Sequence, residues 1–145
     1  MKLIKQLGPT CLVTSFAMVL EVQPAELILE IGHDGTEEWW PGQMRGHHIQ
    51  ELIDCCVRRG RAVTYIDPNP VTSPYDDERD EKSLFDAFTA QDRFKNHLRD
   101  NVGVITTDAH AVAWDGKVVL DPHGFTKSVS FYRPNHFWMV NQIKL

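Results

Sequence analysis

Cys11 is the first residue whose type and setting point to chemistry. It lies in the run Gln6-Leu7-Gly8-Pro9-Thr10-Cys11-Leu12-Val13-Thr14-Ser15-Phe16-Ala17-Met18-Val19-Leu20. Beyond the cysteine the apolar residues recur at helical spacing, Leu12 with Phe16 and Val19, and Val13 with Ala17 and Leu20. Gly8, Pro9 and Thr10 read as a turn and a helix cap. The spacing therefore predicts a mostly buried helix with Cys11 in its first turn. A helix N-terminus carries partial positive charge and unpaired N–H groups. Both favour a thiolate and suit a nucleophilic sulfur. A small core residue is the plain alternative, since free cysteine packs well in cores.

The second informative run is Asp108-Ala109-His110-Ala111-Val112-Ala113-Trp114-Asp115-Gly116-Lys117-Val118-Val119-Leu120-Asp121-Pro122. Two β-prone stretches flank Asp115-Gly116, which reads as a two-residue hairpin turn. That turn would pair Trp114 with Lys117, Ala113 with Val118, Val112 with Val119, Ala111 with Leu120 and His110 with Asp121. Opposed residues share a face, so an imidazole would sit beside a carboxylate at the open end of the hairpin. Such a carboxylate fixes the ring tautomer and stabilises an imidazolium. If the helix tip packs on that end, Cys11, His110 and Asp121 become nucleophile, base and orienter. Asp121 opening an Asp-Pro turn is the competing reading. Gln6 adds a side-chain amide shortly before the cysteine, which can donate to a developing oxyanion together with N–H groups of the helix start.

Gln6, Cys11 with its apolar helix, and the late His-Ala-Val-x-x-Asp-Gly…Asp-Pro hairpin resemble the papain-like cysteine peptidases. The nearest subgroup is that of the bacteriocin-processing, double-glycine leader peptidases and their stand-alone relatives in bacteria and phages. The resemblance implies an α+β, papain-like fold with the nucleophile at the start of the first helix, packed on a C-terminal antiparallel sheet. It implies Gln6 as oxyanion donor, Cys11 as nucleophile, His110 as base and Asp121 as orienter, with a peptide or protein substrate and no cofactor. Thr10 and Leu12 flank the cysteine where the family usually has aspartate and glycine, which leaves the substrate open. The same groups would also run deamidation or acyl transfer. A different class of function is a scaffold that acts by contact, as a regulator of phage or host origin.

The remaining elements must position these groups. Pro24 to Ile31, ending at Gly32, reads as a short helix. His33 to Gly42 reads as a loop in which Trp39 and Trp40 could line a substrate groove or cap the core. Gly46 to Gly60 reads as an amphipathic helix with Ile49, Leu52, Ile53, Cys56 and Val57 inward and Cys55 off the centre of that stripe. Ala62–Ile66 reads as a strand, Asp67–Glu81 as a Pro- and acid-rich connection, and Ser83 to about Arg99 as a helix. Val102–Thr107, Val129–Phe131 and Phe137–Val140 with Ile143 read as further strands. Helices first and strands mainly last make an α+β chain.

Composition narrows the function classes. A chain of 145 residues suggests one domain, 1–145, with a real core. A net charge of −5 and the lack of a basic run argue against nucleic-acid binding. No apolar stretch approaches the ~18 residues of a membrane span. Lys5, Gln6, Gly8 and Pro9 break the N-terminal apolar stretch, so no signal peptide is read and a cytoplasmic location is expected. Three cysteines fit reduced thiols rather than a disulfide framework. His33, His47, His48, Cys55 and Cys56 invite a metal reading, and His48 with Glu51 shares a helix face. Without a Cys-x-x-Cys pair the expectation is no metal. His123 and His136 rank below His110 as the base, because His123 follows Asp121-Pro122 in a turn and no register places a carboxylate opposite His136. No phosphate-binding glycine loop or Gly-x-Ser-x-Gly motif is present.

Overall fold

The computed structural model describes residues 1–67 and 94–142. Helix α1 (Cys11–Leu20) is followed by α2 (Pro24–Ile31), a short β-hairpin of β1 (Glu38–Trp40) and β2 (Gln43–Met44), and α3 (Ile49–Arg58). Then come β3 (Val63–Ile66), β4 (Gly103–Thr106), β5 (Ala111–Trp114), β6 (Val119–Asp121), β7 (Phe125–Lys127), a 3₁₀ turn (Val129–Phe131) and β8 (His136–Val140). This is the expected α+β arrangement of N-terminal helices packed on an antiparallel sheet. The expected loop around Trp39 and Trp40 is instead a hairpin. The expected strand Val129–Phe131 is a 3₁₀ turn, whose start Ser128 covers by accepting from the Ser130 N–H. The acid-rich stretch 68–81, the start of the expected Ser83–Arg99 helix and Ile143 lie outside the described residues, while Phe94–Leu98 is helical. Among the described residues no single helix is long and apolar enough to cross a membrane.

Six strands form one sheet in the order β3-β8-β4-β5-β6-β7, every neighbour antiparallel. Both faces are covered, so β5 is buried throughout. Strand periodicity sorts its residues. Ala111 and Ala113 join a core with Val13, Phe16 and Ala17 of α1, Leu27 of α2, and Leu52, Cys55 and Cys56 of α3. Val112 and Trp114 join a second core with Ile105, Val119, Phe137, Phe94 and Leu98. The two alanines let α1 lie close on the sheet. Trp114 Nε1 donates to the Leu98 carbonyl at 2.9 Å, which ties residues 94–98 to the other face. In α3, Val57 is 57% exposed and Cys55 fully buried, the reverse of the sequence expectation. Leu52, Cys55 and Cys56 pack into the core, while Arg58 and Arg59 reach across to Glu30 of α2.

The segment before α1 runs back along that helix. Met1 lies at Glu21, the Ile4 N–H points at Met18 Sδ, and the Gln6 N–H donates to the Pro122 carbonyl at 2.7 Å. The chain then turns at Gly8, whose φ of 68° favours glycine. Hence α1 begins at the end of the sheet where β6 finishes.

Two outcomes test this packing. Gly103 lies in β4 against β8, where an added Cβ would meet the Trp138 carbonyl and come within 2.9 Å of Met139 Cα. Gly103→Ala should destabilise by about 1–3 kcal/mol in urea unfolding, because backbone cannot yield as a side chain does. Partial burial would raise the Glu30 carboxyl, but hydrogen bonds from Arg58 and Arg59 outweigh it and hold its pKa below 4.5. A depressed folded-state pKa stabilises above the unfolded value and is lost as pH falls through the folded one. Glu30→Gln should therefore lower the urea midpoint at pH 7, and the difference should vanish below the folded-state pKa.

Candidate active site

The hairpin β5–β6 carries the centre of the site, with a register two residues from the expected one. Trp114 faces Val119 and Ala113 faces Leu120, so the turn spans four residues, 115–118. The cause is the Asp115 side chain, whose Oδ1 accepts from the N–H groups of both Lys117 and Val118 at 2.8 Å. A two-residue shift keeps every side chain on its face. His110 thus opposes His123 rather than Asp121, and their rings stack at 4.2 Å. Asp121 becomes a diagonal neighbour of His110, still within reach. His110 Nε2 lies 2.8 Å from Asp121 Oδ1.

Asp121 is almost fully buried, with 2% of its surface exposed. Its Oδ1 also accepts from the His123 backbone N–H at 2.8 Å, and its Oδ2 accepts from the Tyr132 hydroxyl at 2.6 Å. Burial alone would raise this carboxyl. The donors Tyr132, His123 N–H and His110 outweigh it and hold the pKa below 3.8. The carboxylate in turn adds to burial in pushing the Tyr132 hydroxyl pKa well up, so the phenol stays a donor. An ionised Asp121 accepts from the Nε2–H tautomer of His110. That leaves Nδ1 with the lone pair that can act as a base.

Cys11 opens α1 and is half-buried. Thr10 occupies the N-cap position without capping. Its hydroxyl donates to the Leu7 carbonyl at 3.0 Å and lies 3.3 Å from Thr14 Oγ1. The first-turn N–H groups therefore lack a side-chain cap and remain as potential anion donors. Gln6 Nε2 donates one hydrogen to the Gly8 carbonyl at 2.7 Å, which fixes the amide while its second N–H remains. Among the described residues, no hydrogen bond joins Cys11 Sγ to His110. The other two thiols are unsuited to nucleophilic work: burial raises Cys55, and burial with Cys55 beside it pushes Cys56 up to about 12.

Trp39 and Trp40 are 62% and 65% exposed, and the Arg45 guanidinium lies 5.3 Å from the Trp39 ring centre. Among the described residues, the bonds that anchor their hairpin lead to the helical layer. His33 Nε2 bonds Glu51 Oε2 of α3 at 2.6 Å, and His47 Nε2 bonds the His33 carbonyl at 3.0 Å. His48 is the N-cap of α3: its Nδ1 accepts from the Gln50 N–H while Glu51 accepts from the His48 N–H. His48 and Glu51 thus have capping partners. His136, in β8, packs its ring on Tyr65 and Trp138.

Sequence reasoning missed Tyr132, the second anchor of Asp121, because the contact returns through β7 from a residue without any distinguishing motif. The His123 N–H contact was legible in principle, since Asp-Pro-His favours an aspartate bonding the N–H two residues on. Compared with family models, with curated proteins and with solved structures, the chain matches none.

Tyr132→Phe should leave Asp121 Oδ2 buried without a donor. The expected cost is about 1–3 kcal/mol in chemical unfolding. An unchanged midpoint would mean that Asp121 takes its second donor elsewhere.

Proposed function

We propose that the chain is a cysteine-dependent hydrolase of the papain-like type, cleaving amide bonds through Cys11, His110 and Asp121. The observation that carries this reading is the 2.8 Å contact between His110 Nε2 and a buried, ionised Asp121, at the sheet end where α1 begins with Cys11. Such a pair keeps the proton on Nε2 and leaves Nδ1 free to act as a base. The Cys11 proton passes to Nδ1, and the thiolate attacks the amide carbonyl. The uncapped N–H groups of the first turn, with the remaining Gln6 N–H, hold the oxyanion. Imidazolium Nδ1–H then protonates the leaving amine, and water releases the acyl group from sulfur. The step needs Cys11 Sγ to swing into hydrogen-bond range of Nδ1, a tightening common when substrate binds. Deamidation and acyl transfer use the same groups and differ in the acyl donor and acceptor admitted. Trp39 and Trp40 are assigned to peptide contact on exposure alone.

One observation favours a second reading. The hairpin presents two exposed tryptophans with Met44, and this is the composition of a protein-contact surface. A scaffold acting by contact through that face would not depend on Cys11.

Alkylation separates the two. The rate at Cys11, resolved from Cys55 and Cys56 by mass spectrometry, is measured against pH. The enzyme reading expects fast labelling well below pH 8, slowed at least about tenfold in His110→Ala and reduced in Asp121→Ala. A rate following an ordinary thiol of pKa about 8.5, indifferent to His110, would overturn it.

A further inference from the structure

His123 has no part in the proposed reaction, yet its ring stands against both members of the His–Asp pair. Among the described residues, His110, Asp121 and His123 are the one group whose imidazole nitrogens and carboxylate oxygen converge, all within 4.8 Å of one another. Asp121 Oδ1 lies 2.8 Å from His110 Nε2 and 3.7 Å from His123 Nδ1. We propose that these three side chains form a site for a divalent transition-metal ion such as Zn²⁺, and that its occupancy silences Cys11.

Four features support the site. The donor set, two imidazoles and one carboxylate, is that of zinc centres which keep a fourth position for water. Ligand atoms about 2.0–2.2 Å from a tetrahedral zinc are about 3.4 Å apart. The 2.8 and 3.7 Å spacings lie on either side of that value, and the His123 ring, stacked on His110, turns out of the stack to aim Nδ1 at the ion. The carboxylate is held through its other oxygen by Tyr132, the kind of outer contact that fixes a ligand. His123 is the exposed member, with 56% of its side chain open to solvent, so the ion has an open approach.

Binding exchanges one partner of His110 Nε2 for another. In the free protein Nε2 carries a proton and donates to Asp121. In the metal-bound form Nε2 gives its lone pair to the ion, and the ring proton moves to Nδ1. Neutral His110 thus gains a metal without releasing a proton, and nothing is oxidised or reduced. With Nδ1 protonated and the ring neutral, His110 can neither take the Cys11 proton nor pair with its thiolate. The silencing rests on the proposed function; the metal site does not.

The experiment titrates Zn²⁺ alone against a chromophoric chelator with four proteins: wild type, Cys11→Ala, His123→Phe and Tyr132→Phe. His123→Phe keeps a ring to stack on His110 and keeps the backbone N–H to Asp121, but removes the ligand nitrogen. The expected result is one ion per chain in wild type and in Cys11→Ala. Affinity should fall about tenfold in Tyr132→Phe and further in His123→Phe. Binding unchanged in His123→Phe, lost in Cys11→Ala, or absent from wild type would overturn the site. In parallel, Cys11 alkylation is followed with Zn²⁺ or with chelator. Suppression in wild type and its loss in His123→Phe, with equal rates in chelator, are expected. Slow, His110-independent labelling in chelator would sink the thiol reading, and the titration would still decide the metal site.

Discussion

The site is organised around one buried negative charge. A carboxylate as enclosed as Asp121 is costly unless its oxygens are met by donors. It has three, and they come from three places: His110 before β5, the His123 backbone after β6, and Tyr132 beyond the 3₁₀ turn. Each constrains the chain. β6 must end in a turn at Pro122, β7 must return the chain along β6, and the following residues must fold back far enough to place a phenol on Asp121. The result is an imidazole whose ring orientation and tautomer are set by its surroundings.

That arrangement sits at the end of a sheet made stiff by cover on both faces. Ala111 and Ala113 admit α1 on one side, while Val112 and Trp114 fill the other. The small residues let the helix lie close to the sheet, with its first turn at the same end as the His–Asp pair. The Gln6 link to the Pro122 carbonyl fastens the pre-helix segment there too. Cys11 and His110 thus come from different layers, joined by apolar packing and by the Gln6–Pro122 hydrogen bond.

A carboxylate aimed at an imidazole nitrogen is halfway to a metal site. The same ionised oxygen that orients a proton attracts a cation, and a second imidazole at Asp121 supplies another ligand. In the proposed scheme, proton and metal ion compete for one nitrogen of His110. The competition is local because Asp121 faces both histidines through the same oxygen.

The sequence by itself determined the helix that Cys11 opens, the small and large alternation of β5, and the placing of His110 and Asp121 on one face. These follow from periodicity within one element, and they survive errors of detail. Reading Asp115-Gly116 as a two-residue turn put the register two residues out, yet parity preserved the pair. Only the tertiary structure decided the rest. It buried Cys55 and exposed Val57, because the face of α3 that meets the core is set by the neighbouring helices and sheet. It brought Tyr132 to Asp121 and laid His123 on His110. It set Trp39 and Trp40 on a hairpin anchored at α3. Convergence of side chains from distant segments depends on how elements pack together, and no local periodicity encodes that.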